Sequence, residues 1–487
     1  MKILLINPML GADYSALDIG ITSLATYINQ KTKHEAGILD FTFHQRSWKR
    51  HLHRRIAREN PDIIGISCSS LYMEYVRKIA REIKRRHGTH ILLGGCHPTL
   101  EPEGSISIRH CDSICIGDGE HALSEYLDAL ESGKGAKGIH GIWAKEGGKI
   151  IRNPKRPLID DINSLPAPDW SLWEDLDKYH YFLNMQYFIG TRGCPYNCSN
   201  CSELPLRKAV PGKHFRVRNP RAYAAEIKQQ YEMSNRKGSR KRSFLAAHLF
   251  DPVFTFNKKW VKEFCDEYIK LGMAKRLPYS IFARADNLDE EIVQTLAKGG
   301  CRVVRIGIES GNEWMRNEVY EKKVSTEQVR KAIALSKKYG LVITGYFMVG
   351  GPGETKKTLN DTFRLAKELD VHRPAFFVFT PIPQTSSIEK IKKYGSSINS
   401  RRAIQVDNFT FGAVVETGDL TVRKIEGYQH RFYFYFGMRR IFRLIKRKKL
   451  RYFTELAVYI TKGLYYGLSL KYLLPYFHIM AYDNCIN

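Results

Sequence analysis

Up to about residue 130, short runs of consecutive apolar residues alternate with helix-length segments. The runs are Lys2–Asn7, Ala36–Asp40, Asp62–Ser67, His90–Gly95 and Ser113–Gly117. Apolar runs without polar alternation belong to strands buried on both faces, so the pattern predicts an α/β unit built on a doubly wound parallel sheet. Tyr72–His87 is the type of its covering helices. Tyr72, Tyr75, Val76, Ile79, Ala80 and Ile83 form one stripe, while Lys78, Arg81, Glu82 and Arg85 are expected to face away. The rhythm then breaks. Gly133–Gly138, a short hairpin over Ile142–Ile151 and the stretch Leu165-Pro166-Ala167-Pro168-Asp169-Trp170 read as a stiff connector, because prolines two apart forbid helix and weaken any strand. From Tyr187 the alternation returns, with strands expected at Tyr187–Thr191, Phe244–Phe250, Tyr279–Ala285, Val303–Glu309, Val342–Val349 and Phe376–Thr380. Six strand-helix units in succession predict a partial (β/α)6 barrel of TIM type, with its chemistry on the loops at the carboxyl ends of the strands. Beyond about residue 386 the expectation is helical, over Val422–Lys448, Tyr452–Leu468 and Lys471–Tyr482. The expected division is therefore 1–135, a connector 136–185, a barrel 186–385 and a helical cap 386–487.

Composition adds three constraints. A chain of 487 residues, 43% apolar, can bury two or three cores. Its ten cysteines are scattered and do not resemble a disulfide framework, which fits a reducing, anaerobic cytoplasm. Neither an export signal nor an apolar run long enough to span a bilayer is visible. The formal net charge of +27 calls for an acidic partner, an anionic surface or a solvated face. Its distribution narrows the choice. From Arg423 to Arg451 there are eleven Lys or Arg and one acid, Glu426, interleaved with Phe432, Tyr433, Phe434, Tyr435 and Phe436. A basic aromatic segment with helical pattern more often meets a partner or a membrane surface than RNA, so nucleic acid is not the expected partner.

The candidate chemistry centres on Gly190-Thr191-Arg192-Gly193-Cys194-Pro195-Tyr196-Asn197-Cys198-Ser199-Asn200-Cys201. Three cysteines spaced C-x3-C-x2-C on one loop can give three thiolates to a cubane iron-sulfur cluster and leave its fourth iron open. Zinc is the alternative, but it wants a fourth ligand, and His214, the nearest downstream candidate, is poorly spaced. This spacing after a first barrel strand resembles the signature of the radical S-adenosylmethionine (radical SAM) superfamily. The resemblance implies a 4Fe-4S cluster on Cys194, Cys198 and Cys201, with S-adenosylmethionine chelated at the open iron. That family usually carries an aromatic residue where this chain has Asn200.

Loops after the later strands extend the likeness: Phe250-Asp251, Arg284-Ala285-Asp286, Ile306-Gly307-Ile308-Glu309-Ser310-Gly311 and Gly350-Gly351-Pro352-Gly353-Glu354-Thr355. By resemblance, Tyr196, Asp251, Arg284, Glu309, Ser310, Gly350, Gly351 and Gly353 bind S-adenosylmethionine. Pro381-Ile382-Pro383-Gln384-Thr385 has Gln384 where the family has glycine, which points to an unusual backbone conformation or a substrate contact. In the first unit, Ser69-Ser70-Leu71 and Gly94-Gly95-Cys96-His97-Pro98-Thr99 resemble the cobalamin-binding domain fused to such barrels. Asn7, Leu17, Ser69, Ser70, Leu71, Gly94, Gly95, His97, Gly117 and Glu120 are the cobalamin residues this implies, the glycines admitting the nucleotide tail close to the backbone. Leu17 stands where relatives place a cobalt-ligating histidine, so the cofactor is expected without a lower histidine ligand. His97, beside Pro98, is expected in a structural rather than a ligand role.

The resemblance implies a cobalamin-dependent radical SAM methyltransferase acting on an unactivated carbon or phosphinate centre. Cyclisation, ring contraction or carbon-carbon coupling on a tetrapyrrole or lipid is the nearest alternative, and tRNA modification is a further one. The partners implied are a small-molecule or lipid-like substrate, an external electron donor of flavodoxin or ferredoxin type, and a peripheral membrane contact.

Overall fold

In the computed structural model, which describes residues 1–10, 17–235, 244–400, 412–446 and 451–465, the chain forms two compact units. Among the described residues the first holds Met1–Leu183, Pro205–Val217 and the stretch from Val458. The second holds Asn184–Leu204 and Arg218–Ala457. Of the residues expected as a connector, 136–183 pack with the first unit while Asn184 and Met185 belong to the second, and those expected as the start of a separate cap, from 386, pack with the barrel.

Five parallel strands of the first unit lie in the spatial order Glu35–Asp40, Lys2–Asn7, Ile63–Ser67, His90–Gly94, Ser113–Cys115. The hairpin Ile142–Glu146 and Lys149–Arg152 continues the sheet antiparallel, turning at Gly147 and Gly148, both at positive φ. Strand order reverses at Lys2–Asn7, so a crevice opens past the carboxyl ends of the first and third strands, the usual ligand site of such sheets. Met73–Arg86 buries Val76, Ile79, Ala80 and Ile83 as the stripe predicts. Glu82 departs from the expectation that it faces away. It is 6% exposed, and hydrogen bonds from Arg85 and His53, with Lys49 beside them, hold its carboxyl down at about 2. The connector is pinned by polar anchors: Trp173 Nε1 donates to Thr22 Oγ1 at 2.8 Å and the Tyr179 hydroxyl to Asp40 at 2.8 Å.

In the second unit six parallel strands follow one another in sequence order: Met185–Phe188, Ala246–Leu249, Tyr279–Ala283, Cys301–Glu309, Val342–Val349 and Arg373–Val378. Alternate residues face the covering helices. Val304, Ile306, Ile308, Ile343, Phe347 and Val349 therefore belong to one apolar core with helices such as Thr326–Lys338 and Lys356–Leu369. The last strand would be an open edge, and the helix Val422–Lys446 covers it. Tyr433 hydroxyl accepts from Phe376 N at 3.0 Å and Gln429 Nε2 donates to Phe376 O at 2.6 Å, while Phe432 stacks on Phe363 with ring centroids 4.7 Å apart. The inner aromatics of this helix thus pack on the barrel, not in a core of their own. A two-residue antiparallel pair, Ser397–Ile398 with Val415–Glu416, interrupts the expected strand-free region. The helix Arg451–Tyr465 follows, and the third helix expected, Lys471–Tyr482, lies outside the described residues.

Candidate functional site

The cysteine loop leaves the first barrel strand and is fixed by residues other than its cysteines. Asp251, fully buried, accepts from Gly190 N at 2.9 Å, Thr191 Oγ1 at 2.7 Å and the Tyr223 hydroxyl at 3.3 Å. Burial pushes its carboxyl up to about 6 against those donors. With its oxygens turned to the backbone behind the loop, Asp251 positions the cysteines. Ser199 anchors the far side, its hydroxyl donating to Val319 O at 2.6 Å and its amide to Tyr320 O at 3.0 Å.

Cys194, Cys198 and Cys201 carry no disulfide. Burial raises the Cys194 thiol and pushes Cys201 up to about 12, so metal must displace protons to bind there. Among the described residues, His34, Asp128 and Glu131 bring three ligand atoms within 4.8 Å of one another, two of the three side chains being exposed acids. Asn200, in the position usually aromatic, is 3.5 Å from Met348 Sδ.

Around the three cysteines the structure gathers residues from three further strand ends. The Arg284 guanidinium lies 3.9 Å over the Tyr196 ring, its Nη1 is 3.7 Å from Cys198 Sγ, and its Nη2 donates to Lys322 O at 2.7 Å. Asp286 holds it with two further bonds of 3.0 and 3.1 Å, and Asn287 Nδ2 donates to the Tyr196 hydroxyl at 2.6 Å. Glu309 accepts from Lys322 Nζ at 2.6 Å. Its φ of 65° is costly for a residue with a Cβ and coincides with a register shift between Gly307 and Glu309. Ser310 is turned inward, fully buried, with its hydroxyl 3.0 Å from Thr362 Oγ1. Gly350 and Gly353 have φ of 81° and 72°. A Cβ on Gly351 would collide with the Tyr320 hydroxyl, and one on Gly350 would lie 2.8 Å from Ile425. Gly350 N and Gly351 N both donate to Glu354, a fully buried carboxyl that burial raises to about 8. Gln384 keeps the glycine conformation of its motif, φ 62°, with its side chain exposed.

Lys322, Asn287, Glu354 and Arg316 escape sequence reasoning. Lys322 sits between Glu321 and Lys323, both at positive φ, in a loop without a motif, so only the folded loop reveals it. Glu354 was part of a recognised turn, where its position three residues after Gly351 is the signal for a carboxylate folding back onto backbone amides.

In the first unit, Gly94 and Gly95 end the fourth strand. Gly95 has φ of 102°, and a Cβ there would lie 3.0 Å from Cys68 O, so glycine serves backbone-to-backbone approach. A Cβ on Gly94 would meet nothing closer than 3.9 Å, which leaves its surface open to a ligand. Ser69, Ser70 and Leu71 are half-buried after the third strand, and Ser70 Oγ is 2.9 Å from His97 Nδ1. Burial lowers the His97 imidazole, and its amide donates to Cys68 O at 3.0 Å. Leu17 is 5% exposed; the residues before it, 11–16, lie outside the described residues. The next residue, Asp18, caps the helix Ile19–Lys31 and accepts from Ser67 Oγ at 2.7 Å across the crevice. Asn7 is buried and donates to Asp40 at 2.9 Å. Gly117, at φ 84°, donates its amide to Thr99 Oγ1 at 3.1 Å, and Glu120 is buried in the first turn of Gly119–Glu131.

A family model of the B12 binding domain matches residues 10–127, and that of the radical SAM superfamily matches residues 188–366. An uncharacterized methyltransferase of Pyrococcus horikoshii, PH0819, is 30% identical over 399 residues, which cover 79% of this chain and 82% of that one. An anaerobic magnesium-protoporphyrin IX monomethyl ester cyclase of Rubrivivax gelatinosus is 28% identical over 353 residues, 69% of this chain and 60% of the cyclase. Among solved structures, the radical S-adenosylmethionine methyltransferase TsrM of Kitasatospora setae, with tryptophan and a SAM analog bound, superposes with a TM-score of 0.69 at 20% identity. The match covers 82% of this chain and 78% of TsrM.

Proposed function

Because this chain belongs to the radical SAM superfamily, in its branch with an N-terminal B12 binding domain, we propose that it methylates a carbon or phosphinate centre of a small or lipid-like substrate. It is an enzyme, and its cofactors are cobalamin, a 4Fe-4S cluster and S-adenosylmethionine. When bound, the cluster and S-adenosylmethionine supply hydrogen abstraction and cobalamin supplies a transferable methyl group. The chain's own residues do the holding. Cys194, Cys198 and Cys201 ligate the cluster. Arg284, stacked on Tyr196 and 3.7 Å from Cys198 Sγ, brings a fixed positive charge to the electron-rich sulfur, and this contact carries the reading. Glu309, held by Lys322, and the backbone of Gly350, Gly351 and Gly353 offer polar groups to S-adenosylmethionine. Asp251 and Ser310 act from behind, through the loops they fix. The Gly94-Gly95 turn and the residues Ser69 to Leu71 would receive cobalamin, with Leu17 standing where relatives place a cobalt-ligating histidine. An external donor of flavodoxin or ferredoxin type completes the reading.

The test is product analysis under anaerobic conditions, with an extract of the native cells as substrate source and S-adenosylmethionine labelled in its methyl group. The expected product is heavier by one labelled methylene unit and accompanied by S-adenosylhomocysteine. 5'-Deoxyadenosine with neither would favour cyclisation or rearrangement, the reading that the Rubrivivax relative supports.

The outer face of Val422–Lys446 supports a peripheral contact with an anionic membrane surface. Phe434 and Phe442 are 71% and 65% exposed, Ile445 is exposed beside them, and Arg431, Arg443 and Lys446 flank the row. No described helix is long and apolar enough to cross a membrane. Flotation with anionic but not neutral vesicles at low salt is expected, weakened by Arg431→Glu with Lys446→Glu. Absence of flotation from anionic vesicles would remove the contact.

A further inference from the structure

Two stripes run along the helix Val422–Lys446 at steps of three or four residues. Gln429, Phe432 and Phe436 face the last barrel strand, with the rings of Phe432 and Phe436 centred 5.1 and 5.7 Å from that of Phe376. The second stripe, Arg431, Phe434, Met438, Phe442 and Lys446, has no strand to pack on. Together with Phe363 and Asn360 of the helix Lys356–Leu369 it lines a groove of about 890 Å³. Phe363 and Tyr435 meet edge to face in its wall, 5.2 Å apart. From Arg431 to Lys446 the groove follows about four turns of helix, roughly 22 Å. The first stripe lies between it and the barrel strands, so the groove is separate from the reaction site.

The charge along this groove is uneven. Asp370, the residue that closes Lys356–Leu369, accepts from Arg443 Nη2 at 2.7 and 2.9 Å and lies 3.1 Å from Arg439 Nη2. Among the described residues Lys446 has no carboxylate within ion-pair distance. Three cations therefore share one acid at this end. The other two acids of Lys356–Leu369 are engaged elsewhere, Asp361 by Asn312 and Arg364 and Glu368 by Arg330. Away from that end the cations sit over rings, Arg431 4.5 Å from the centre of Tyr428 and Lys367 5.4 Å from that of Tyr435. The middle of the groove, along Phe434, Met438 and Phe442, is apolar.

An elongated apolar trough with surplus positive charge at one end matches an amphiphile. A hydrocarbon chain laid in it removes ring surface from water, and an anionic head supplies the charge that Asp370 alone leaves unbalanced. An acidic peptide or a nucleic acid carries charge along its whole length and would set it against the apolar middle. We propose that the groove holds one chain of an anionic membrane lipid, its headgroup at Arg439, Arg443 and Lys446 and its chain running back along Phe442, Met438 and Phe434. The inference rests on the peripheral membrane contact proposed above and gives that contact a seat for a single lipid.

The test is calorimetric titration of the full-length, cofactor-loaded protein with three probes kept below their micellar concentrations: lauroyl lysophosphatidic acid, lauroyl lysophosphatidylcholine and glycerol phosphate. A single lysophosphatidic acid is expected to bind per chain, about tenfold or more tightly than the zwitterionic lysolipid. Glycerol phosphate, the headgroup without a chain, should show no binding at the same concentrations. Met438→Glu sets a carboxylate midway along the groove and should abolish binding. Lys446→Gln should reduce the preference for the anionic lysolipid severalfold and leave the zwitterionic one unchanged. Melting of each variant reports its fold, and Phe442→Ser, at an exposed position, repeats the test of the apolar wall should Met438→Glu unfold. Equal affinity for the two lysolipids, glycerol phosphate bound as tightly as the lysophosphatidic acid, or no saturable binding overturns the proposal. Binding untouched in both Met438→Glu and Phe442→Ser does the same. Flotation with anionic vesicles but without one-site binding would leave the surface contact standing and remove the groove, whereas one-site binding without flotation would support the groove and remove the wider contact.

Discussion

Replacing Cys194, Cys198 and Cys201 together by alanine is expected to leave a folded chain that, after anaerobic reconstitution, holds almost no iron and shows almost no visible charge-transfer absorbance. A thiolate cannot be replaced by a methyl group without losing its iron, and three of the four corners of the cluster depend on these sulfurs. The fold should survive because the loop is not hung on its cysteines. Asp251 grips its start through Gly190 N and Thr191 Oγ1, Ser199 ties its far side to Val319 and Tyr320, and Ser387 N donates to Ser199 O at 3.1 Å. Five of the other described cysteines are in no position to offer a second site. Cys68, Cys111, Cys115, Cys265 and Cys301 are buried and their thiols are raised by burial, which suits small apolar residues. Iron assay and absorbance decide the matter: about four irons retained per chain in the triple variant would put the cluster elsewhere.

Arg316→Met is expected to destabilise the barrel unit by about 3–5 kcal/mol, read as a lowered urea midpoint of its transition. Arg316 is fully buried. Its Nε donates to Ile308 O and Ser310 O at 3.2 and 3.0 Å, its Nη2 to Ser310 O at 2.6 Å, and its Nη1 to Val324 O and Thr326 Oγ1, both at 3.2 Å. One guanidinium thus serves three buried carbonyls on two segments that meet behind Glu309 and Lys322. Methionine fills similar space but leaves those carbonyls without donors, and each buried unsatisfied group costs about 1–3 kcal/mol. Arg316→Lys should recover only a minor part, since a compact ammonium cannot reach the same spread of acceptors. A loss under about 1 kcal/mol would show that the carbonyls find other donors and that Arg316 is not what fixes the Glu309 loop.

What was legible in the sequence is what depends on neighbours along the chain. The runs Lys2–Asn7 and Val342–Val349 became strands because continuous apolar residues suit a sheet covered on both faces, and the Cys194, Cys198 and Cys201 spacing puts three thiols on one loop because all three lie within eight residues. What the tertiary structure decided is which polar group meets which. Asp251, expected at the cofactor, is buried behind the cysteine loop, because Tyr223 and Gly190 converge on it from segments 28 and 61 residues away in the chain. Glu82, expected to point into solvent, is drawn under by His53 from the preceding helix and by Arg85. Arg305, Thr344 and Arg373 share one rung of the barrel sheet without any signature in the sequence, since they stand about 30 to 40 residues apart and only the register of parallel strands brings them level. Periodicity reports which face of an element is apolar, whereas the pairing of charges across elements is fixed by packing and register, and the chain acquires these only on folding.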